Sequence, residues 1–224
     1  MEFKYQFYPT LLDSFRYWKD HEEDESTFNA LIDKLNGVKV EQTLDNLKGI
    51  AFEALINEMI TIKSDLVPLP NNGIYEFNEF EFNQIIVDKV FNKLKRCTDI
   101  QFRLNGIVST SKGNVRLYGI FDYGFPEMTA DLKTTSNYGL KTKDSKKVKK
   151  YEDNFQHKFT SLLSENIEFN YVITDFNYLY IENFKLGEEL NKSTILEIEE
   201  FIDFINIYKH LIKNSKVFEH GNLG

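Results

Sequence analysis

The chain has 224 residues, 42% of them hydrophobic, and sets 27 Lys and Arg against 35 Asp and Glu for a net charge of −8. That is enough for one domain with a substantial core, and no Pro-, Gly- or Ser-rich linker divides it. One cysteine, Cys97, leaves no internal disulfide and no four-cysteine metal or iron–sulfur site, and no run of about 18 apolar residues suggests a membrane span.

The first residues, "MEFKYQFYPTLLDSFRYW", lack a basic stretch followed by an apolar one, so a cytoplasmic protein is expected. Helices are predicted over "PTLLDSFRYWKD" and over "STFNALIDKL", the latter capped near Ser26 or Thr27. Residues 43–63 place Leu44, Leu47, Ala51, Leu55, Met59 and Ile62 at helical spacing, and "EFNQIIVDKVFNKLKR" does so with Phe82, Ile85, Ile86, Val90 and Leu94. The part up to about residue 97 therefore reads as helical.

From about 98 to 215 the expectation is a catalytic sheet with flanking helices. "IQFRLNGIVS" and "NVRLYGIFDY" alternate at period two around the turn "TSKG", and a third strand covers 127–134. A helix follows with Val148, Tyr151, Phe155, Phe159 and Leu162 as its stripe. Two strands, "EFNYVITDF" and "NYLYIENF", precede a last helix over about 194–214 that opens on the capping box Thr194–Glu197. The class is α/β or α+β, built on a mixed sheet.

Strand alternation puts Met128, Ala130 and Leu132 on one face and Thr129, Asp131 and Lys133 on the other. An acid-x-Lys triplet alone says little, since Glu2-Phe3-Lys4 and Asp144-Ser145-Lys146 also occur. Asp122, however, ends the preceding apolar strand, and adjacent strands can bring it beside Asp131. Two close carboxylates repel unless a cation or proton intervenes, and Mg²⁺ or Mn²⁺ with oxygen ligands meets that need. Lys133 can then orient a metal-bound water and offset charge on phosphorus. The four histidines have no metal-ligand spacing and read as structural or exposed.

Four pieces in order resemble the PD-(D/E)XK nuclease superfamily, and within it the RecB-like and phage recombination exonuclease branch. They are "GIAFE" (49–53), "GIFD" (119–122), "ADLKTT" (130–135) and "NFQHKF" (154–159), with "YPTLLDSFRYW" similar to the first helix of RecB-like nucleases. The resemblance implies a restriction-endonuclease-like α/β fold with a central mixed sheet flanked by helices. It implies metal ligation by Asp122, Asp131, the Leu132 carbonyl and Glu53, water positioning by Lys133, and a hold on water or phosphate by Gln156. Thr134 and Thr135 would meet a neighbouring phosphate. Phe159 stands where the family has tyrosine, so no hydroxyl is supplied there.

What it implies as activity is Mg²⁺- or Mn²⁺-dependent hydrolysis of DNA, most simply by an exonuclease of recombination or DNA processing in a bacterium or phage-infected cell. The alternatives are a non-catalytic nucleic-acid-binding or anti-defence protein on the same scaffold, or an endonuclease or junction-cutting enzyme. DNA is the expected partner, and a second copy of the chain or a single-strand annealing or other replication protein would suit the branch. Six lysines between 141 and 150 (Lys141, Lys143, Lys146, Lys147, Lys149 and Lys150) could neutralise phosphates despite the acidic total.

Overall fold

A computed structural model of the chain describes residues 2–21, 24–62, 69–135, 138, 151–213 and 217–218. In chain order the elements are β1 (Tyr5–Phe7), α1 (Pro9–Asp20), α2 (Glu25–Leu35), α3 (Leu44–Thr61), β2 (Ile74–Phe77), β3 (Phe80–Asn83) and α4 (Gln84–Leu94). There follow β4 (Asp99–Thr110), β5 (Gly113–Gly124), β6 (Met128–Thr134), α5 (Phe155–Leu163), β7 (Glu168–Thr174), β8 (Leu179–Lys185), α6 (Glu188–Ile207) and a 3₁₀ turn (Lys209–Leu211).

The centre is a mixed six-stranded sheet. β4 runs antiparallel along one edge of β5, while β1 and β6 share the other edge. β6 continues parallel to β7, and β7 antiparallel to β8. Helices cover both faces. On one, Leu11, Leu12 and Phe15 of α1 pack with Phe155 and Phe159 of α5 and Ile198 and Phe201 of α6. On the other, Phe52, Leu55 and Ile56 of α3 pack with Ile86, Val87 and Val90 of α4 and Phe82 of β3.

The first part of the chain is not all helix. Tyr5–Phe7 supplies a buried strand parallel to Val115–Leu117, too short to show a period. β2 and β3 form a hairpin whose turn, Asn78–Glu79, has φ of 47° and 67°. That two-residue turn favours Asn-Gly, so glutamate in the second place hides it in the sequence. Two helix starts also differ. Asp24 caps α2, accepting from the Ser26 and Thr27 amides. Thr194 is interior to α6, its hydroxyl donating to the Leu190 carbonyl at 2.7 Å. That helix instead begins with Glu188 and Glu189 at its positive end. Leu44, Leu47 and Ile85 are exposed, so the buried stripes of α3 and α4 are turned away from them.

Two irregularities in the sheet make the site. β1 pairs with residues 115–117 of β5 and β6 with residues 123–124, so no strand is paired to 118–122 along that edge among the described residues. The C-terminal ends of β1 and β6 face each other across this gap. On the opposite edge the β4–β5 ladder passes from Ile100↔Tyr123 to Phe102↔Phe121, leaving Gln101 and Asp122 unmatched. Phe121 packs into one core and Tyr123 into the other, although alternation would keep them on one face. The sheet therefore turns over at Asp122. Gln101, across from it, has φ of 48°, a left-handed conformation uncommon for a residue with a side chain.

Candidate active site

Where β6 leaves β5, the Leu132 amide has no strand partner on that side, and Asp122 Oδ2 accepts it at 2.9 Å. Amide and carbonyl of one residue point to the same side of a strand, so the Leu132 carbonyl also faces the gap. The Asp131 side chain, on the face opposite the Leu132 side chain, is fully buried. Lys133 Nζ lies 2.7 Å from its Oδ2, and Gln156 Nε2 donates to its Oδ1. The i,i+2 pair read from the sequence is thus a bonded pair, completed by a glutamine from the start of α5.

Glu53 comes from α3, held against the sheet one turn to either side. At Gly49 an added Cβ would collide with Thr134 Oγ1, so the absent side chain is what lets the helix approach β6. At Asn57 the side-chain oxygen accepts from the Tyr123 hydroxyl at 2.8 Å. Gly49, Glu53 and Asn57 are spaced by four and share one helix face. Gln101 Nε2 donates to Glu53 Oε1 at 3.2 Å, so the strained residue of β4 steadies the acid of α3.

Substituting Gly49 tests this packing. Alanine in a helix interior normally gains about 0.8–1.0 kcal/mol over glycine. Thr134 is β-branched and stiff, so the overlap must move the helix, at a cost of about 1–3 kcal/mol. Gly49→Ala is expected to lower thermal stability and displace Glu53, with Thr134→Ala in the same chain restoring stability. A stabilised single variant would show that nothing is crowded there.

The electrostatics follow from burial. The Asp122 carboxyl is pushed well above the ordinary range, first by burial, then by Asp131 and Glu53, with Lys133 and the Leu132 amide opposing. Burial alone would lower Lys133, but Asp131 and Asp122 outweigh it and hold its ammonium above the ordinary range. Lys133 is therefore charged at neutral pH.

Asp13 of α1 was not singled out in the sequence. Its Oδ1 accepts the Phe155 amide at 2.7 Å across 142 residues, at the start of a helix whose own N-cap residue, Asn154, makes no side-chain cap bond. Burial raises Asp13 to about 6 against the Phe155 bond and the nearby charges of Lys133, Lys34 and Lys158. It anchors the helix that presents Gln156. No local pattern marks such an acid.

The other expected residues are placed less directly. Thr134 lies against Gly49, and the Thr135 amide donates to the Thr174 carbonyl at 3.0 Å. Lys141, Lys143, Lys146, Lys147, Lys149 and Lys150 lie outside the described residues. The buried Glu182 of β8 accepts from the Tyr138 hydroxyl and, at 2.9 Å, from the Tyr151 amide, tying down residues on either side of that stretch. His157 is buried against Phe184 at 4.2 Å between ring centroids, a structural role.

Among the described residues no three His, Cys, Asp or Glu side chains form a ready metal-binding group. The donors present still suit a hard divalent cation in kind. Asp122, Asp131 and the Leu132 carbonyl are oxygen ligands, with Glu53 close enough to raise Asp122. Mg²⁺ needs only one or two carboxylates and otherwise keeps its waters.

No protein-family model and no curated protein sequence matches the chain. Among solved structures, one similar chain is a protein from Eubacterium rectale described as "Putative exonuclease". It is 13% identical, with a TM-score of 0.47 over 87% of this chain and 77% of that one. Another is SSO0001, 8% identical, with a TM-score of 0.44 over 91% of this chain and 78% of that one. Among the described residues no helix is long and apolar enough to cross a membrane.

Proposed function

We propose that the chain is a Mg²⁺-dependent deoxyribonuclease of the PD-(D/E)XK type, acting from DNA ends in the manner of the RecB-like and phage recombination exonucleases. The observation that carries this reading is the cluster at the parting of β5 and β6. There a buried Asp131 is bonded to Lys133 and Gln156, and Asp122 bonds the Leu132 amide beside it. A structural ion pair would explain Asp131 and Lys133 but not a second acid beside them, raised by burial and then by Asp131 and Glu53.

Asp122, Asp131 and the Leu132 carbonyl would hold the cation, with Glu53 joining directly or through water. When bound, the cation supplies Lewis acidity toward the phosphoryl oxygen and lowers the pKa of its water. The protein's own groups do the positioning that phosphoryl transfer chiefly requires. Gln156 fixes the Asp131 carboxylate, and Asp13 fixes the start of its helix. Lys133, already protonated, orients the attacking water by hydrogen bonding and offsets charge gathering on the phosphate oxygens. Water adds to phosphorus as the bond to the 3′ oxygen breaks, leaving a 3′-hydroxyl and a 5′-phosphate.

The test is hydrolysis of linear duplex, single-stranded and closed circular DNA with Mg²⁺, with chelator as the control. Linear DNA is expected to be degraded to short 5′-phosphorylated products while closed circles are largely spared. Rapid linearisation of circles would instead make the enzyme an endonuclease or junction-cutting enzyme. Metal-dependent cleavage of none of the three would overturn the nuclease reading.

A further inference from the structure

The sheet gap opens into a cavity of about 660 Å³ at the end of β1, lined by residues including Tyr8, Arg103, Asn105, Arg116, Tyr118 and Gln156. Gln156 joins it to the candidate active site, since the same amide donates to Asp131. On the β4–β5 hairpin the pairs Arg103↔Ile120, Asn105↔Tyr118 and Ile107↔Arg116 put both arginines, Asn105 and Tyr118 on one face. Tyr8 follows β1 and brings its ring to 5.8 Å from that of Tyr118, tilted by 57°.

Charge makes this face unusual. Acids outnumber bases by 35 to 27 in the chain, yet neither Arg103 nor Arg116 has a carboxylate within salt-bridge distance among the described residues. Arg116 rests instead over the Phe3 ring, its guanidinium 5.7 Å from the centroid. Among the described residues the lining holds no carboxylate, so two guanidinium forks without an acidic partner are open to an anion, and their planar donors match phosphate oxygens. A single phosphate would not use both. Their ladder positions are four residues apart along β4, a span of about 13 Å. The half-buried aromatic pair between the ends of this strip offers faces for unpaired bases.

We propose that this cavity is a docking channel for a single-stranded stretch of nucleic acid. Arg103 and Arg116 hold successive parts of the phosphate backbone, Tyr8 and Tyr118 stack bases, and the strand leads past Gln156 to Asp131. The choice of nucleic acid as ligand rests on the nuclease reading of the adjoining site. The gap between β1 and β6 accounts for single strands over duplex, because the strand must pass between secondary-structure elements to reach the carboxylates.

Binding of a short fluorescent oligothymidylate, measured by anisotropy in chelator across a salt series, tests the channel without cleavage. Arg103→Gln with Arg116→Gln is expected to weaken binding at least ten-fold at low salt. It should also flatten the slope of log K against log salt by about 1.4, two phosphates at about 0.7 each. Tyr118→Ala should weaken binding roughly five-fold or more with the slope unchanged. Arg103 is exposed, so the single Arg103→Gln change covers the case in which the double variant melts early, and it should flatten the slope by about half as much. Unaltered affinity and slope in Arg103→Gln, or no binding by the unaltered protein, would overturn the proposal. The two readings fail separately. Oligonucleotide binding that depends on the arginines in a protein that cleaves nothing would leave the channel standing and remove the nuclease. Cleavage of single strands whose KM ignores both arginines would do the reverse.

Discussion

Asp122→Asn is expected to abolish metal-dependent cleavage, by at least about 10³-fold, while making the metal-free protein more stable at neutral pH. The two effects have one cause. Asp122 is half-buried with Asp131 and Glu53 near it, and its ionised form is disfavoured by that burial and those charges. Asparagine retains an oxygen to accept the Leu132 amide, so the splayed strands keep their connection. The sign of the pH dependence follows. A carboxyl whose folded pKa is raised binds its proton in the native state after the unfolded chain has lost it. Its contribution is complete below about pH 4, the unfolded value, and falls away as pH rises through the folded one. In the variant this decline is absent, though Asp13, raised to about 6, still contributes a decline of the same sign. Melting temperatures from pH 4 to 8 in chelator should therefore separate, the asparagine variant gaining most at the upper end. Added Mg²⁺ should reverse the order, stabilising the unaltered protein by binding only its folded form. Equal stabilisation of both by Mg²⁺, or cleavage by the variant at an undiminished rate, would remove Asp122 from the metal site.

What the sequence disclosed of this cluster was its local part. Period two along "MTADLKT" places Asp131 and Lys133 on one face with no knowledge of the fold, and the structure bonds them. The spacing from Gly49 to Glu53 likewise survives as one face of α3, for a reason visible only in three dimensions: Thr134 occupies the place of the missing side chain. The remainder depended on long-range geometry. Asp13 caps a helix 142 residues away, and nothing in "TLLDSF" foretells it. Gln101 looks like any strand residue, yet its positive φ marks where the sheet turns over and Asp122 changes face. The fold shows the same division. Long amphipathic helices and the β4–β5 hairpin were readable, whereas β1 was too short and the β2–β3 turn had glutamate where glycine is usual.

Lys133→Met is expected to lower cleavage by about 10²- to 10³-fold, yet leave Mn²⁺ binding intact or tighter. Methionine keeps most of the stem that runs beside Tyr171, whose ring centroid is 6.0 Å from the ammonium, and removes only the charge. In the metal-free protein the loss is felt at Asp131, a fully buried carboxylate left with Gln156 as its bonded partner. Breaking a buried pair from one side costs about 3–5 kcal/mol, and the partial exposure of Lys133 argues for the lower end. A divalent ion held by Asp131 would offset that loss, because it would supply the positive charge that the ammonium otherwise gives the carboxylate. The variant should thus melt early in chelator and recover more on adding Mn²⁺ than the unaltered protein does. Lys133→Arg should fall between, since it restores the charge but not the compact donor that fits beside one oxygen. A structural ion pair makes the opposite forecast: low stability with or without metal, and cleavage lost only in proportion to unfolding. Calorimetry with Mn²⁺ and single-turnover cleavage on the same three proteins decide between them. Undiminished cleavage by Lys133→Met would exclude the lysine from the chemistry, and loss of Mn²⁺ binding would mean its role is to build the site rather than to act in it.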